Sequence, residues 1–276
     1  MRSANQLKSP LRMPGGKTKG MKTIEQVLDE CADFQEYREP FLGGGSVAIY
    51  VTKRYPDSKV WVNDLYYPLY NFWTVLQKDG EHLSETLLEI KDAIGSDDEA
   101  HRELFDACQY GMKTEGSFDA AVSFYILNKC SFSGLTENST FSVTASRNNF
   151  TRMNIRKLKE YSEIVRNWKI TNLDYSKVMN ATGKDVFMFL DPPYDIKDFL
   201  YGTNRDLHRN FDHKEFANTV DKCKHKFLLT YNKNDFVLQR YESYLQRDYL
   251  LQYGMVHRSG GNKQTELIIT NHYNTD

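Results

Sequence analysis

Cysteine is scarce. Cys31, Cys108, Cys130 and Cys223 lie scattered through 276 residues with no Cys-x-x-Cys pair, so neither a disulfide framework nor a zinc site is indicated. Net charge is equally thin: 36 Lys and Arg against 37 Asp and Glu leave a formal charge of -1 and an isoelectric point near 6.7. That balance excludes a globally basic nucleic-acid binder and leaves room only for a local basic face. No long apolar run exists, and the chain opens on the polar stretch Met1-Arg2-Ser3-Ala4-Asn5-Gln6, so a membrane span or secretory signal is not expected and a cytoplasmic location is. Metal ligands do not cluster either. His208 and His213 stand near Asp206 and Asp212 without further support, and no metal is expected. The length suits one large domain, or one core with an inserted module.

What is present centres on Val186-Phe187-Met188-Phe189-Leu190-Asp191-Pro192-Pro193-Tyr194. The continuous apolar run predicts a buried central strand that ends at a carboxylate. Two prolines hold the following backbone extended, so Asp191, the Pro192 carbonyl, Pro193 and the Tyr194 ring form a stiff turn at the strand's carboxyl edge, where ligands of open α/β sheets sit. A carboxylate and a carbonyl accept hydrogen bonds from a planar NH2 group, and an aromatic ring offers a stacking face to the heterocycle that carries it.

Upstream, Met13-Pro14-Gly15-Gly16-Lys17 is a glycine-bearing loop with a cation for a carboxylate or phosphate, leading into a helix from Met21 to about Ala32. Glu36 to Phe41 predicts a first strand, Gly43-Gly44-Gly45 a tight turn, and Ser46 onward a helix whose amino end faces the sheet edge. Asp64 ends a second strand, Lys59 to Asn63, where a carboxylate would accept ribose hydroxyls.

From about Phe72 to Trp168 helical periodicity takes over, interrupted by the turn-rich aromatic stretch Lys129 to Phe150. A helix over about Asn154 to Asn167 carries Arg156, Lys157, Lys159 and Arg166, a candidate phosphate-facing flank that also reads as a solvated face. Strands then return at Trp168 to Leu173, Lys226 to Tyr231 and Glu266 to Asn271, with a capped helix starting near Phe211-Asp212-His213, a helix from Asn234 to Tyr241, and a basic loop from Val256 to Lys263. Alternating strands and helices argue for a doubly wound sheet with the helical module inserted.

The order of these motifs, from Gly15-Gly16-Lys17 through Glu39-Pro40-Phe41-Leu42-Gly43-Gly44-Gly45-Ser46, Asp64 and Asp174 to Asp191-Pro192-Pro193-Tyr194, resembles the Dam-type DNA adenine-N6 methyltransferases, the D12 class. The likeness also takes in Leu127-Asn128 through Leu135 and the ending Lys263-Gln264-Thr265-Glu266-Leu267. It implies a Rossmann-like methyltransferase fold, α/β and doubly wound, with a catalytic domain over residues 1–72 and 169–276 and a mainly helical target-recognition module over 73–168.

The implied cofactor is S-adenosylmethionine. Its carboxylate would lie near Lys17 and the Gly43, Gly44, Gly45, Ser46 turn beside Met13, its ribose on Asp64, and its adenine near Asp174 and Tyr175, with Glu39, Phe41 and Asp191 bordering the crevice. The implied partner is double-stranded DNA, from which an adenine is extruded onto Tyr194 while Asp191 and the Pro192 carbonyl accept its amino hydrogens. By the same resemblance Arg12 reads a guanine and Phe132 fills the space beside the extruded base. Asn128, Ser133, Leu135, Glu137, Arg147 and Lys263 complete the expected DNA-facing set. Ser133 and Glu137 stand where GATC-specific relatives typically carry asparagine and arginine, so GATC recognition does not follow. A monomer, singly or two to a DNA site, suffices.

Three other readings are distinct. A nicotinamide-dependent oxidoreductase would use Gly43, Gly45, Ala48 and Asp64 but leaves Asp191 to Tyr194 without a role. A non-catalytic DNA-binding protein of the same fold has no use for that corner. Transfer to cytosine N4 or to an RNA adenine keeps the corner and changes the acceptor.

Overall fold

A computed structural model describes residues 9–13, 17, 20–30, 33–113, 116–137, 139–194, 211–252 and 263–272. In the first half, helix α1 (Met21–Glu30) precedes strand β1 (Glu36–Glu39), helix α2 (Ser46–Arg54) and strand β2 (Lys59–Asn63). Five helices follow: α3 (Tyr67–Ile94), α4 (Asp98–Gly111), α5 (Phe118–Cys130), α6 (Val143–Asn149) and α7 (Arg152–Val165), with a 3-10 turn at Phe132–Gly134. The chain then returns through β3 (Lys169–Thr171), α8 (Tyr175–Met179), β4 (Val186–Leu190), α9 (His213–Lys222), β5 (Lys226–Asn232), α10 (Asp235–Arg240), β6 (Leu245–Gln252) and β7 (Lys263–Thr270).

The seven strands form one sheet in the order β3-β2-β1-β4-β5-β7-β6, parallel except for β7, which runs antiparallel to both its neighbours. This is the doubly wound α/β arrangement expected from the sequence. Strand order reverses between β1 and β4, which pair directly with Glu36 beside Val186, and that is the switch point at which such sheets hold ligands. All five residues of β4 are buried. Phe187 and Phe189 point into the apolar layer shared with α1 to α3, α5 and α7, while Val186, Met188 and Leu190 point into the layer under α8 to α10.

Two strand expectations change. Residues 245–252 carry no strand in the sequence reading, yet they form β6. They lie at the sheet edge, where Arg247 pairs with Glu30 and Asp248 with Lys233, so the segment is polar because one side is solvated. β7 likewise begins at Lys263, three residues before the expected start. The expected boundary at residues 72 and 73 falls inside α3, whose Leu69, Phe72, Trp73 and Leu76 join the same apolar layer as α1 and α2. The basic loop preceding Lys263, His208, and Gly15-Gly16 lie outside the described residues.

Candidate active site

The glycine turn after β1 is shaped by two carboxylates beneath it. Glu39, completely buried, accepts the Tyr37 hydroxyl at 2.7 Å and the Ala48 N–H of α2. Burial, and then the nearby Asp191 and Asp64 carboxylates, push its pKa well above the usual range despite those donors. Asp64 accepts the N–H of Gly43 and of Tyr66, each at 2.9 Å, and burial raises its pKa to about 6. Gly45 adopts φ +67°, and a Cβ there would lie 2.8 Å from the Trp73 ring, whose indole N–H donates to the Gly43 carbonyl. The turn is therefore held from below and behind, with Ser46 opening α2 and Met13 close to Gly44.

At the end of β4 the side chains converge. Asp191 Oδ1 accepts the Thr230 hydroxyl of β5 at 2.8 Å and lies 2.9 Å from the Lys17 ammonium. Among the described residues both of these contacts fall on Oδ1. The Asp191 side chain is 23% exposed, and so can be reached. Lys17 itself is buried, and its Nζ also donates to the Tyr194 hydroxyl at 2.7 Å. The Tyr194 hydroxyl in turn donates to Glu266 of β7 at 2.9 Å, and its ring stacks on Tyr231 with centroids 5.7 Å apart and planes 17° from parallel. Tyr231 is fixed through its hydroxyl to His213 Nδ1.

Across the sheet edge, Asp174 caps α8 by accepting the Ser176 N–H and is exposed. Beside it Phe41, Tyr175, Phe211 and Phe216 form an aromatic cluster with centroids 5.4 to 5.9 Å apart. Asp64 and this cluster supply a hydrogen-bond acceptor and flat apolar faces, a set that could hold an adenosine-containing cofactor.

The expected DNA-facing residues divide. Phe132 is exposed on the 3-10 turn, and Ser133 holds φ +61° next to it, uncommon for a residue with a Cβ. Leu135 and Glu137 are half-buried just beyond. Arg147 is exposed and forms a two-point ion pair with Asp98. Lys263 opens β7. Asn128, in contrast, is completely buried, and its amide bonds the Arg12 backbone and the Gly134 carbonyl. The Arg12 guanidinium donates to the Ser131 carbonyl at 2.9 Å, beyond the carboxyl end of α5. Along α7 and at its ends, Arg152 pairs with Asp92, Lys159 with Glu81 and Glu85, and Arg166 with Glu163, so those cations serve the protein's own surface.

Three residues of the corner carried no role in the sequence reading: Thr230, Tyr231 and Glu266. Glu266 left a signal, a carboxylate opening the otherwise apolar run Glu266-Leu267-Ile268-Ile269, which interior strands do not carry without a partner. Among the described residues no His, Cys, Asp or Glu cluster could hold a metal, and no helix is long and apolar enough to cross a membrane.

Comparison with known proteins gives the family. A family model described as D12 class N6 adenine-specific DNA methyltransferase matches residues 14–253. Type II methyltransferase M.MjaIII of Methanocaldococcus jannaschii is 28% identical over 258 residues, covering 87% of this chain and 89% of that protein. Type II methyltransferase M.CviBI of Paramecium bursaria Chlorella virus NC1A is 25% identical over 279 residues, 96% of this chain and 100% of that protein.

Proposed function

This chain belongs to the D12 class N6 adenine-specific DNA methyltransferase family, and from that premise we propose that the corner at Asp191 to Tyr194 methylates the N6 amino group of an adenine extruded from double-stranded DNA. The observation that carries the reading is the Asp191 carboxylate at the switch point, with Oδ1 tied to Thr230 and Lys17, and a tyrosine ring stacked flat beside it.

Tyr194 presents the face opposite Tyr231 to the extruded base, a stack worth about 1–3 kcal/mol per base. Oδ2 of Asp191 and the Pro192 carbonyl accept the two amino hydrogens, which draws the nitrogen lone pair out of conjugation with the ring and directs it across the crevice. Pro193 keeps that spacing fixed. S-adenosylmethionine, when bound, supplies an electrophilic methyl group on a sulfonium. Asp64 holds its ribose, the Phe41 and Tyr175 faces pack its adenine beside Asp174, and the Gly43 to Gly45 turn with the α2 amino end receives its polar tail. Residues 73–168, with Arg12, form the DNA-recognition face, of which Phe132, Ser133, Leu135 and Glu137 are the base-reading part. Two relatives are named as type II methyltransferases, which supports action on a defined DNA site, by one monomer or by two to a site.

The test is incorporation of labelled methyl from S-adenosylmethionine into duplex DNA, followed by nucleoside analysis. N6-methyladenine is expected, and Asp191→Ala should abolish it while leaving cofactor binding intact. N4-methylcytosine, label in RNA alone, or full turnover by Asp191→Ala would overturn the proposal.

A further inference from the structure

Stacking alone would be served by phenylalanine at position 194. The tyrosine hydroxyl, however, is engaged on both sides: it accepts from Lys17 Nζ at 2.7 Å and donates to Glu266 Oε2 at 2.9 Å. Glu266 also lies 3.7 Å from the same ammonium, and Lys17 Nζ sits 4.7 Å from the centre of the Tyr194 ring. Glu266 is 1% exposed, at the point where β7 pairs with Asn232 of β5, and the residues after it, Leu267, Ile268 and Ile269, are buried and apolar. A carboxylate in such a strand is retained against its desolvation cost only if its partners need it.

We propose that Glu266 is a positioning residue for methyl transfer. It fixes the plane of the Tyr194 ring through the hydroxyl and holds Lys17 where that ammonium ties Oδ1 of Asp191. The stacking face and the hydrogen-bond acceptor for the target base are thus locked to one another by a single side chain on a neighbouring strand. This inference rests on the proposed reading of the corner.

The experiment compares Glu266→Gln, Tyr194→Phe and the double variant in single-turnover methylation, and measures the fluorescence lifetime of a duplex carrying 2-aminopurine at the target position. Each single variant should lose about 10- to 100-fold in rate, the penalty of a misplaced reacting group, with cofactor affinity unchanged. The double variant should lose no more than the worse single one, because both changes break the same link. The probe's lifetime should lengthen in both, since a tilted ring quenches the extruded base less. Tyr194→Phe transferring at the unaltered rate overturns the inference even if Glu266→Gln fails to fold. Losses that multiply, or a slower rate with an unchanged lifetime, overturn it as well. Asp191→Ala separates the two levels: if it stays active the reading of the corner falls, whereas if it is dead and the pair inert, only the inference falls.

Discussion

The side-chain amide of Asn128 holds the peptide of Arg12 from both sides, accepting its N–H at 2.9 Å and donating to its carbonyl at 2.7 Å. The same amide donates to the Gly134 carbonyl at 2.9 Å. Gly134 has φ +77°, and a Cβ on it would lie 2.2 Å from the Arg12 carbonyl oxygen, so the two backbones meet at a distance only glycine permits. The stretch that leads to Lys17 is in this way pinned to the turn that displays Phe132.

Asn128→Ala should therefore destabilise the protein by about 2–3 kcal/mol, since buried backbone groups of Arg12 and Gly134 lose their partner. Phe132→Ala is its counterpart. The ring is 57% exposed, so stability should hold while DNA affinity falls by about 1–3 kcal/mol, the worth of a lost stacking contact. Urea unfolding and DNA titration of both variants check the contrast. Stability loss at Phe132 with none at Asn128 would reverse the two assignments.

Glu137 stands beside Tyr66, whose hydroxyl bonds the Thr136 hydroxyl at 2.9 Å and is pushed above its ordinary pKa by burial and then by the Glu137 carboxylate. If the carboxylate accepts from a base edge, Glu137→Ala should relax discrimination at one base pair by about 1–3 kcal/mol. Methylation of a randomised duplex library, read base by base, gives the answer. An unaltered preference would make Glu137 a support for Tyr66.

The sequence made the corner and the glycine turn legible because both rest on local chemistry: two prolines after a buried strand, three glycines before a helix. Asp64 was legible for the same reason, standing at a strand end. What escaped depends on strand order. Thr230 and Glu266 reach Asp191 and Tyr194 only because β5 and β7 lie on the far side of β4, and no spacing within the chain announces that an antiparallel strand is inserted there. Asn128 escaped in the other direction. The resemblance put it in the DNA-facing set, whereas its amide is engaged by a backbone 116 residues away. The cations of α7 were legible as a face, but the acidic partners of Arg152 and Lys159 sit on α3, outside the helix that carries them.

Asp64 gives a pH dependence whose sign can be worked out. Its pKa rises from 3.8 to about 6 on folding, so the folded protein binds that proton more tightly than the unfolded chain. The contribution to stability is then greatest below the unfolded value and is lost as pH rises through about 6. Cofactor binding runs the opposite way, because ribose hydroxyls donate to the ionised carboxylate. Affinity for S-adenosylmethionine should weaken as pH falls below about 6, and Asp64→Asn should bind more weakly with a flatter profile. Titration calorimetry between pH 5 and pH 8 measures it, and a profile that Asp64→Asn leaves unchanged would remove Asp64 from the ribose.

Lys129 presents the converse case. It is buried in the last turn of α5 with Nζ 5.2 Å from the Tyr125 ring centre, and burial, then the Arg12 charge, lowers its pKa to about 7 from 10.5. Between those values the unfolded chain holds a proton that the folded protein releases, so stability rises with pH across that window and sits on its lower plateau below pH 7. Lys129→Met keeps the apolar stem and removes the charge, and should be more stable than the parent by about 2–4 kcal/mol at pH 6, at about 1.36 kcal/mol per pKa unit. The advantage should shrink steadily toward pH 10, which urea unfolding at a series of pH values would trace. Equal stability of the two proteins at pH 6 would show instead that the Lys129 pKa is not lowered in the fold, with the Tyr125 ring and the carbonyls at the end of α5 offsetting the burial of its charge.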